Sequence, residues 1–307
     1  MSVFTPVSRD QLLPWLAAHG IHDLHEHRGI SGGTVNTNYW LTTASGDWIL
    51  TLVEDRPASA VRPIMALMQA LSQAGLPVPA VRAGANGELV DRLQDRPATL
   101  VQALPGDHPA PTAPICAAVG RFLADLHQQH PALEPLPLNF GPDWQQARAD
   151  YWQHQLPAAD SQLLARTLAR VQPVWARRWP EAWVHADLFP DNVLSVDGRI
   201  TAVIDWYFAS RGPRLWDLAI ALNAFCGSAG LAEPAPAAML QGYAAGQRLR
   251  ADEAAALPIM RCSAALRFWL SRLDAEASHQ ALAADHAVTI KPPAEYRDLL
   301  LELEQKA

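Results

Sequence analysis

Trp183-Val184-His185-Ala186-Asp187-Leu188-Phe189-Pro190-Asp191-Asn192, followed later by Ile204-Asp205-Trp206, is the stretch that decides how this chain is read. Val184 ends an apolar run and Pro190 stops any helix from starting there, so residues 187–192 read as a loop projecting from a strand. Val193-Leu194-Ser195-Val196 and Thr201-Ala202-Val203-Ile204 flank Asp197-Gly198, the pairing of runs and turn that makes a hairpin. The hairpin brings Asp205 back to Asn192. An amide and a carboxylate converging at one end of two short strands make a hard oxygen site suited to Mg²⁺ held jointly with phosphates. Asp187 and His185 are then the candidate catalytic residues, Asn192 and Asp205 the candidate metal ligands. A solvated loop capped by Asp and Asn would explain parts of the pattern, but not its combination with the hairpin and the second Asp.

Composition fits a globular enzyme. The chain has 307 residues, half of them hydrophobic, enough for two lobes and an ample core. A formal charge of −7 without any Lys/Arg run argues against a nucleic-acid surface. Cys116, Cys226 and Cys262 are widely spaced and odd in number, as expected of small buried hydrophobes in a reducing compartment. The Met1–Pro6 segment lacks a basic and apolar leader pattern, and no apolar run is long enough to span a membrane. The expectation is a cytoplasmic protein with no membrane partner.

The first hundred residues read differently from the rest. A short helix over 10–18 precedes strands ending at Gly29, over 38–42 and over 48–53, a helix over 58–74 stopped by Gly75-Leu76-Pro77, and strands over 78–81, 89–91 and 99–104. Beyond Pro105-Gly106 the pattern turns helical over 114–130, 144–155, 161–179, 215–226, 235–248 and 252–277. The fold class is therefore α+β: a two-lobed, protein-kinase-like arrangement with a small antiparallel-sheet nucleotide-binding lobe over 1–104. The large, mostly helical catalytic and substrate-binding lobe covers 105–307.

In that frame Gly29, Ser31, Gly32 and Gly33 lie between two strands, where small residues let backbone N–H groups approach nucleotide phosphates closely. Asn36 and Asn38 offer further donors. Gln102 and Leu104, at the junction of the lobes, offer backbone groups to an adenine edge. One part is missing. Kinases of this architecture place a Lys on the third strand, paired with a Glu on the next helix. Here the strand reads Ile49-Leu50-Thr51-Leu52, the helix over 58–74 has no Glu, and the only lysines are Lys291 and Lys306. Arg28, Arg56 and Arg62 are the nearest cations in sequence, and the sequence does not choose among them. Loss of the pair admits an inactive nucleotide-binding regulator as an alternative, although Asp187, Asn192 and Asp205 argue against it.

The His185–Asn192 spacing is similar to the protein-kinase catalytic loop, with Ala186 in place of its Arg and Asp205-Trp206-Tyr207 in place of Asp-Phe-Gly. Taken with the stretches at 29–39, 49–54, 74–79, 216–223 and 266–273, the chain resembles the aminoglycoside-phosphotransferase and choline-kinase superfamily nearly end to end. Within it the chain is similar to the branch that phosphorylates homoserine, where Thr also stands at the usual Lys position. Val35 departs from the acidic residue expected in many relatives. The resemblance implies ATP and L-homoserine as substrates, Mg²⁺ as cofactor, and O-phospho-L-homoserine for threonine biosynthesis as product. It also implies that Asp187 takes or orients the hydroxyl proton, that Asn192 and Asp205 hold Mg²⁺, and that Asp217 orients the catalytic-loop backbone, with His185 weighed toward a bracing role.

Homoserine presents a carboxylate and an ammonium, so Arg267 and Arg272 are the candidate substrate-binding residues. Five positions apart on a helix, they point about 140° from one another, whereas Arg261 and Arg272 share a face. Trp206, Tyr207, Trp216, Phe268 and Trp269 support a rival, an aromatic cage for a choline-like cation. Phosphorylation of an aminoglycoside is a second rival, disfavoured by the scattered acids of the late helices. His19, His22, His25 and His27 mimic a metal cluster, but their irregular spacing reads as solvated histidines.

Overall fold

Thr37–Thr43 buries every second side chain, the period of a strand with one face on a core, and this strand anchors the first half of the molecule. The computed structural model describes residues 5–30, 35–281 and 291–306. After helix α1 (Arg9–Ala18), strands β1 (Leu24–Gly29), β2 (Thr37–Thr43), β3 (Gly46–Leu52), β4 (Asp91–Leu93) and β5 (Arg96–Gln102) form an antiparallel sheet ordered β1-β2-β3-β5-β4. Tyr39, Leu41, Leu50, Leu52, Ala98 and Leu100 cover one face together with Leu12, Trp15 and Leu16 of α1. Because side chains alternate, the other face carries Asn38, Thr51 and Thr99, which lie directly opposite one another across β2, β3 and β5.

Two strand expectations need correction. Residues 78–81 form no strand, only a bridge between Val81 and Val101. Pro77 and Pro79 have no N–H to give a ladder, and the bridge rests on two bonds, Arg82 N–H to the Leu100 carbonyl and Gln102 N–H to the Ala80 carbonyl. β4 starts later than expected and turns into β5 through Gln94 and Asp95, both with positive φ (51° and 59°), a turn made without glycine.

Helix α2 (Ala58–Gln73) drives Val61, Ile64, Met65, Leu67, Met68 and Leu71 into a core shared with the helical half. That half comprises α3 (Ala113–His127), α4 (Pro142–Trp152), α5 (Ala158–Trp175), α6 (Arg214–Cys226), α7 (Pro234–Gly246), α8 (Ala251–Ala281) and α9 (Pro293–Lys306). Helix α9 was not expected; Tyr296, Leu300 and Leu303, at helical spacing, seat it on α8. α3 and α7 cross so closely that a Cβ on Gly120 would lie 2.0 Å from the Met239 carbonyl oxygen, and one on Gly242 2.1 Å from that of Ala117. Among the described residues no helix is long and apolar enough to cross a membrane.

Between these helices lie β6 (Glu181–Val184), β7 (Val193–Val196), β8 (Arg199–Val203) and β9 (Ser210–Pro213), with β6 paired to β9 and β7 to β8. The β7–β8 hairpin turns at Asp197 (φ 50°) and Gly198 (φ 74°), as its sequence requires. Ser210-Arg211-Gly212-Pro213 carries no strand signal and is extended only because β6 pairs with it. The connection after β5 is fastened to the hairpin: Asp107 and Ser195 exchange backbone hydrogen bonds of 3.1 and 2.9 Å. A Cβ on Gly106 would meet Ser195 backbone atoms at 2.9 Å, so this position needs glycine for its close approach as well as for its φ of 131°.

Candidate active site

The chain leaves β6 at Val184 and immediately adopts a left-handed conformation at Ala186 (φ 61°), a strained choice for a residue with a Cβ. Asp217, fully buried in α6, holds it there. One carboxylate oxygen accepts the Ala186 N–H at 2.8 Å and the other accepts the His185 N–H at 2.8 Å. His127 of α3 approaches the same carboxylate at 3.3 Å and meets the Tyr243 hydroxyl at 2.9 Å through its other nitrogen. Burial alone would push the Asp217 carboxyl up, but the hydrogen bond and charge of His127, with those of His185, hold it below the ordinary value. His127 and Tyr243 escaped the sequence reading because they lie 90 and 26 positions from Asp217 and only the α3–α7 crossing brings them in.

His185 is completely buried, and both ring nitrogens are engaged within the loop. Nε2 contacts the Ile204 carbonyl at 3.0 Å, and Nδ1 accepts the Asp187 N–H at 3.3 Å. Its ring packs edge-on against Trp206 at 4.7 Å. The candidate catalytic assignment of His185 therefore gives way to bracing: it ties the Asp187 loop to the Asp205 loop and has no nitrogen left for a substrate.

Pro190 does not simply end structure. It opens a single 3₁₀ turn, Pro190–Asn192, that swings Asn192 back so its amide nitrogen donates to the Asp187 carbonyl at 2.8 Å and approaches the carboxylate at 3.4 Å. The Asn192 carbonyl oxygen accepts the Ile204 N–H at 2.9 Å, which sets Asp205 beside it. Asp205 also has a positive φ (62°). It lies at the open edge of the cleft, yet the atoms packed behind its carboxyl, and next the charge of Asp187, push its pKa up to about 6. The Asp205 carboxylate beside an amide oxygen freed by its own nitrogen's bonds makes a pair of hard oxygen donors that fits a divalent cation. Among the described residues no cluster of three or more His, Cys, Asp or Glu side chains makes a cage by itself. Outside oxygens would have to complete the coordination.

Arg267 is the main revision on the substrate side. Its guanidinium donates to an Asp187 carboxylate oxygen at 3.1 Å and is buried beneath the rings of Phe268 (3.7 Å), Phe140 (4.2 Å) and Phe208 (5.4 Å). Burial lowers its pKa and Asp187 opposes that shift, but it stays a cation. One of its nitrogens is thus given to Asp187, while its buried Nε has no partner among the described residues. Arg272 donates to Pro292 O at 3.0 Å and Glu295 at 2.6 Å, fastening α8 to α9 and lining a cavity of about 440 Å³ with Phe189, Asp191, Asn223 and Tyr296. Arg261 faces the same end of α6, bonded to Asn223 and to the carbonyls of Gly227 and Ala229. The aromatic cage does not form: Trp206, Trp216 and Trp269 are fully buried core residues.

On the sheet side, Gly29 ends β1 opposite Tyr39, while Ser31, Gly32 and Gly33 lie outside the described residues. Asn36 and Asn38 are spent on structure. Asn36 accepts the Glu54 N–H, and Asn38 bonds the Asn36 carbonyl and accepts from the Thr51 hydroxyl at 2.7 Å. Gln102 donates its N–H to Ala80 O, whereas no bond to the Leu104 N–H is found among the described residues. Of the two junction residues, Leu104 is the one with a donor to offer an adenine edge. Arg28 is exposed and paired with Glu26, and Arg62 is exposed and paired with Glu88. Only Arg56 reaches the cleft loop, donating to the Tyr207 carbonyl at 3.0 Å. His19 and His27 are not solvated: His19 is buried on Trp15 and His27 stacks on Tyr39 at 4.7 Å. The three cysteines are free, Cys116 and Cys226 with their sulfurs 3.9 Å apart.

The sequence profile of the phosphotransferase enzyme family matches residues 26–259. The chain belongs to that family. It is 37% identical over 287 residues to the homoserine kinase of Rhizobium meliloti (strain 1021), covering 89% of this chain and 86% of the relative. It is 38% identical over 302 residues to the homoserine kinase of Pseudomonas aeruginosa (strain UCBPP-PA14), covering 96% and 94%. In fold it is similar to the amicoumacin kinase hAmiN, solved with AMP-PNP, Ca²⁺ and Ami, at a TM-score of 0.70 and 17% identity, covering 98% and 94%. The chain is an ATP-dependent phosphotransferase with the two-lobed kinase-like fold.

Proposed function

We propose that this phosphotransferase transfers the γ-phosphoryl group of ATP to the side-chain hydroxyl of L-homoserine, giving O-phospho-L-homoserine and ADP. The observation that carries the acceptor is the likeness, nearly end to end, to relatives named homoserine kinase. The chemistry follows from the cleft. Asp187 is the base: one carboxylate oxygen is occupied by Arg267 and the other faces Asn192 only loosely, at 3.4 Å, so it can take the hydroxyl proton. Arg267 holds that carboxylate in place from beneath. Asn192 and Asp205 would hold Mg²⁺, which would supply positive charge against the negative charge of the transferring phosphoryl group. Asp217, through the backbone of His185 and Ala186, fixes where Asp187 stands. The lobe boundary falls at 104/105, with the Leu104 N–H meeting adenine.

The test is a coupled assay with ATP and Mg²⁺ against homoserine, choline, ethanolamine and an aminoglycoside. Turnover with homoserine alone is expected. Equal rates without acceptor, or preference for another alcohol, would remove the homoserine reading.

A further inference from the structure

The missing strand Lys and helix Glu leave a question of mechanics. In their absence something must hold the Asp205 loop under the sheet, and Thr51 stands where the Lys would be. Thr51 lies on the cleft face between Asn38 and Thr99, and all three are in register across β2, β3 and β5. Thr51 is 7% exposed and Thr99 2%, so these are buried hydroxyls that need partners. Thr51 has one in Asn38 at 2.7 Å. The side chain of Tyr207, two residues beyond Asp205, reaches this row with its hydroxyl beside those of Thr99 and Thr51. Its aromatic ring carries the Arg56 guanidinium 5.5 Å from its centroid, and its carbonyl accepts from Arg56 at 3.0 Å. Tyr207 is thus held from the sheet at its hydroxyl and from the β3–α2 connection at its backbone, while its own N–H bonds the Asp205 carboxylate.

We propose that Tyr207, gripped by Thr51, Thr99 and Arg56, is a positioning device that replaces the Lys–Glu tether and sets Asp205 for the metal–nucleotide. It rests on the reading of Asp205 as a metal ligand. The division of labour is physical. A Lys–Glu pair uses two charges to couple strand, helix and phosphate; here uncharged hydroxyls bear the mechanical load, and the one guanidinium beside Asp205 is itself paired with the half-exposed Asp55 at 3.0 Å.

The experiment measures Mg²⁺-dependent ADP binding by calorimetry without acceptor, together with steady-state kinetics, for Tyr207→Phe, Thr99→Val, their double variant and Arg56→Lys and Arg56→Ala. Tyr207→Phe should weaken Mg·ADP binding about tenfold, the worth of one buried hydrogen bond, with the acceptor KM moved less than about twofold. Thr99→Val added to Tyr207→Phe should cost little more, because both remove the same contact. Arg56→Ala should weaken Mg·ADP binding, and Arg56→Lys should recover part of it. Unchanged Mg·ADP affinity in Tyr207→Phe, or independent multiplying effects in the double variant, would overturn the proposal. If Tyr207→Phe fails to fold, Thr99→Val alone decides it by the same criterion. Since ADP binding needs no acceptor, a failure of the homoserine reading would leave this result intact and distinguishable.

Discussion

The two walls of the cleft are built on opposite principles. The catalytic-loop wall is a network of buried charge: Asp217 with His127 and the His185 and Ala186 amides, and Asp187 with Arg267 under three phenylalanine rings. The sheet wall is a row of neutral groups, Asn38, Thr51 and Thr99, with a single cation, Arg56, at its edge. Buried charges are unforgiving of change because losing one partner strands the other, whereas neutral hydrogen bonds cost about a kcal/mol each. The difference teaches where this enzyme keeps its chemistry and where it keeps its adjustment. On the proposed roles, the acid–base step belongs to the charged wall of the helical half and nucleotide positioning to the neutral wall of the sheet.

That contrast can be broken by ordered substitutions. The largest effect belongs to Asp187→Asn, which keeps the shape of the loop but removes the base; kcat should fall by about 10³-fold or more while the thermal melt shows a folded protein. Asp217→Ala comes next. It strands His127 and two amides in the core, so stability should drop by about 3 kcal/mol in chemical denaturation and kcat by about a hundredfold. Equal stability of this variant would mean that Asp217 does not hold the loop.

A pH effect of intermediate size follows from Asp205. Its folded pKa of about 6 lies above the ordinary 3.8, so the folded protein without metal binds this proton more tightly than the unfolded chain. The stability contributed by the protonated group is fully present below 3.8 and is lost as pH rises through about 6. Divalent-cation affinity should move the other way, strengthening about tenfold per pH unit up to about 6 and levelling off above it. Cation titrations at pH 5, 6, 7 and 8 read this directly, and a flat profile would remove Asp205 as a ligand. The smallest effects are expected for Arg28→Ala and Arg62→Ala, whose exposed ion pairs lie away from the cleft loop; kcat/KM for ATP should change less than about twofold.

The catalytic wall was legible in sequence because its parts are local. Asp187, Asn192 and Asp205 fall within one loop and one hairpin, and Asp197-Gly198 fixes the return. Roles set by distant packing were not legible. Arg267 was expected to meet an acceptor carboxylate, and only the approach of α8 to the loop turned it onto Asp187. Arg272 was diverted by α9, a helix not expected, and Asn36 and Asn38 by bonds to Glu54 and Thr51. Arg56 could not be separated from Arg28 and Arg62 by position in the chain, because what distinguishes it is a carbonyl 151 residues away.

The most direct test of the contrast between the walls is Mg·ADP binding measured side by side for Asp187→Asn and Tyr207→Phe. Asp187→Asn, deprived of chemistry but not of nucleotide positioning, should bind Mg·ADP within about threefold of the unsubstituted protein, while Tyr207→Phe binds about tenfold more weakly yet still turns over. The reverse pattern, with nucleotide affinity lost in Asp187→Asn and kept in Tyr207→Phe, would contradict the account.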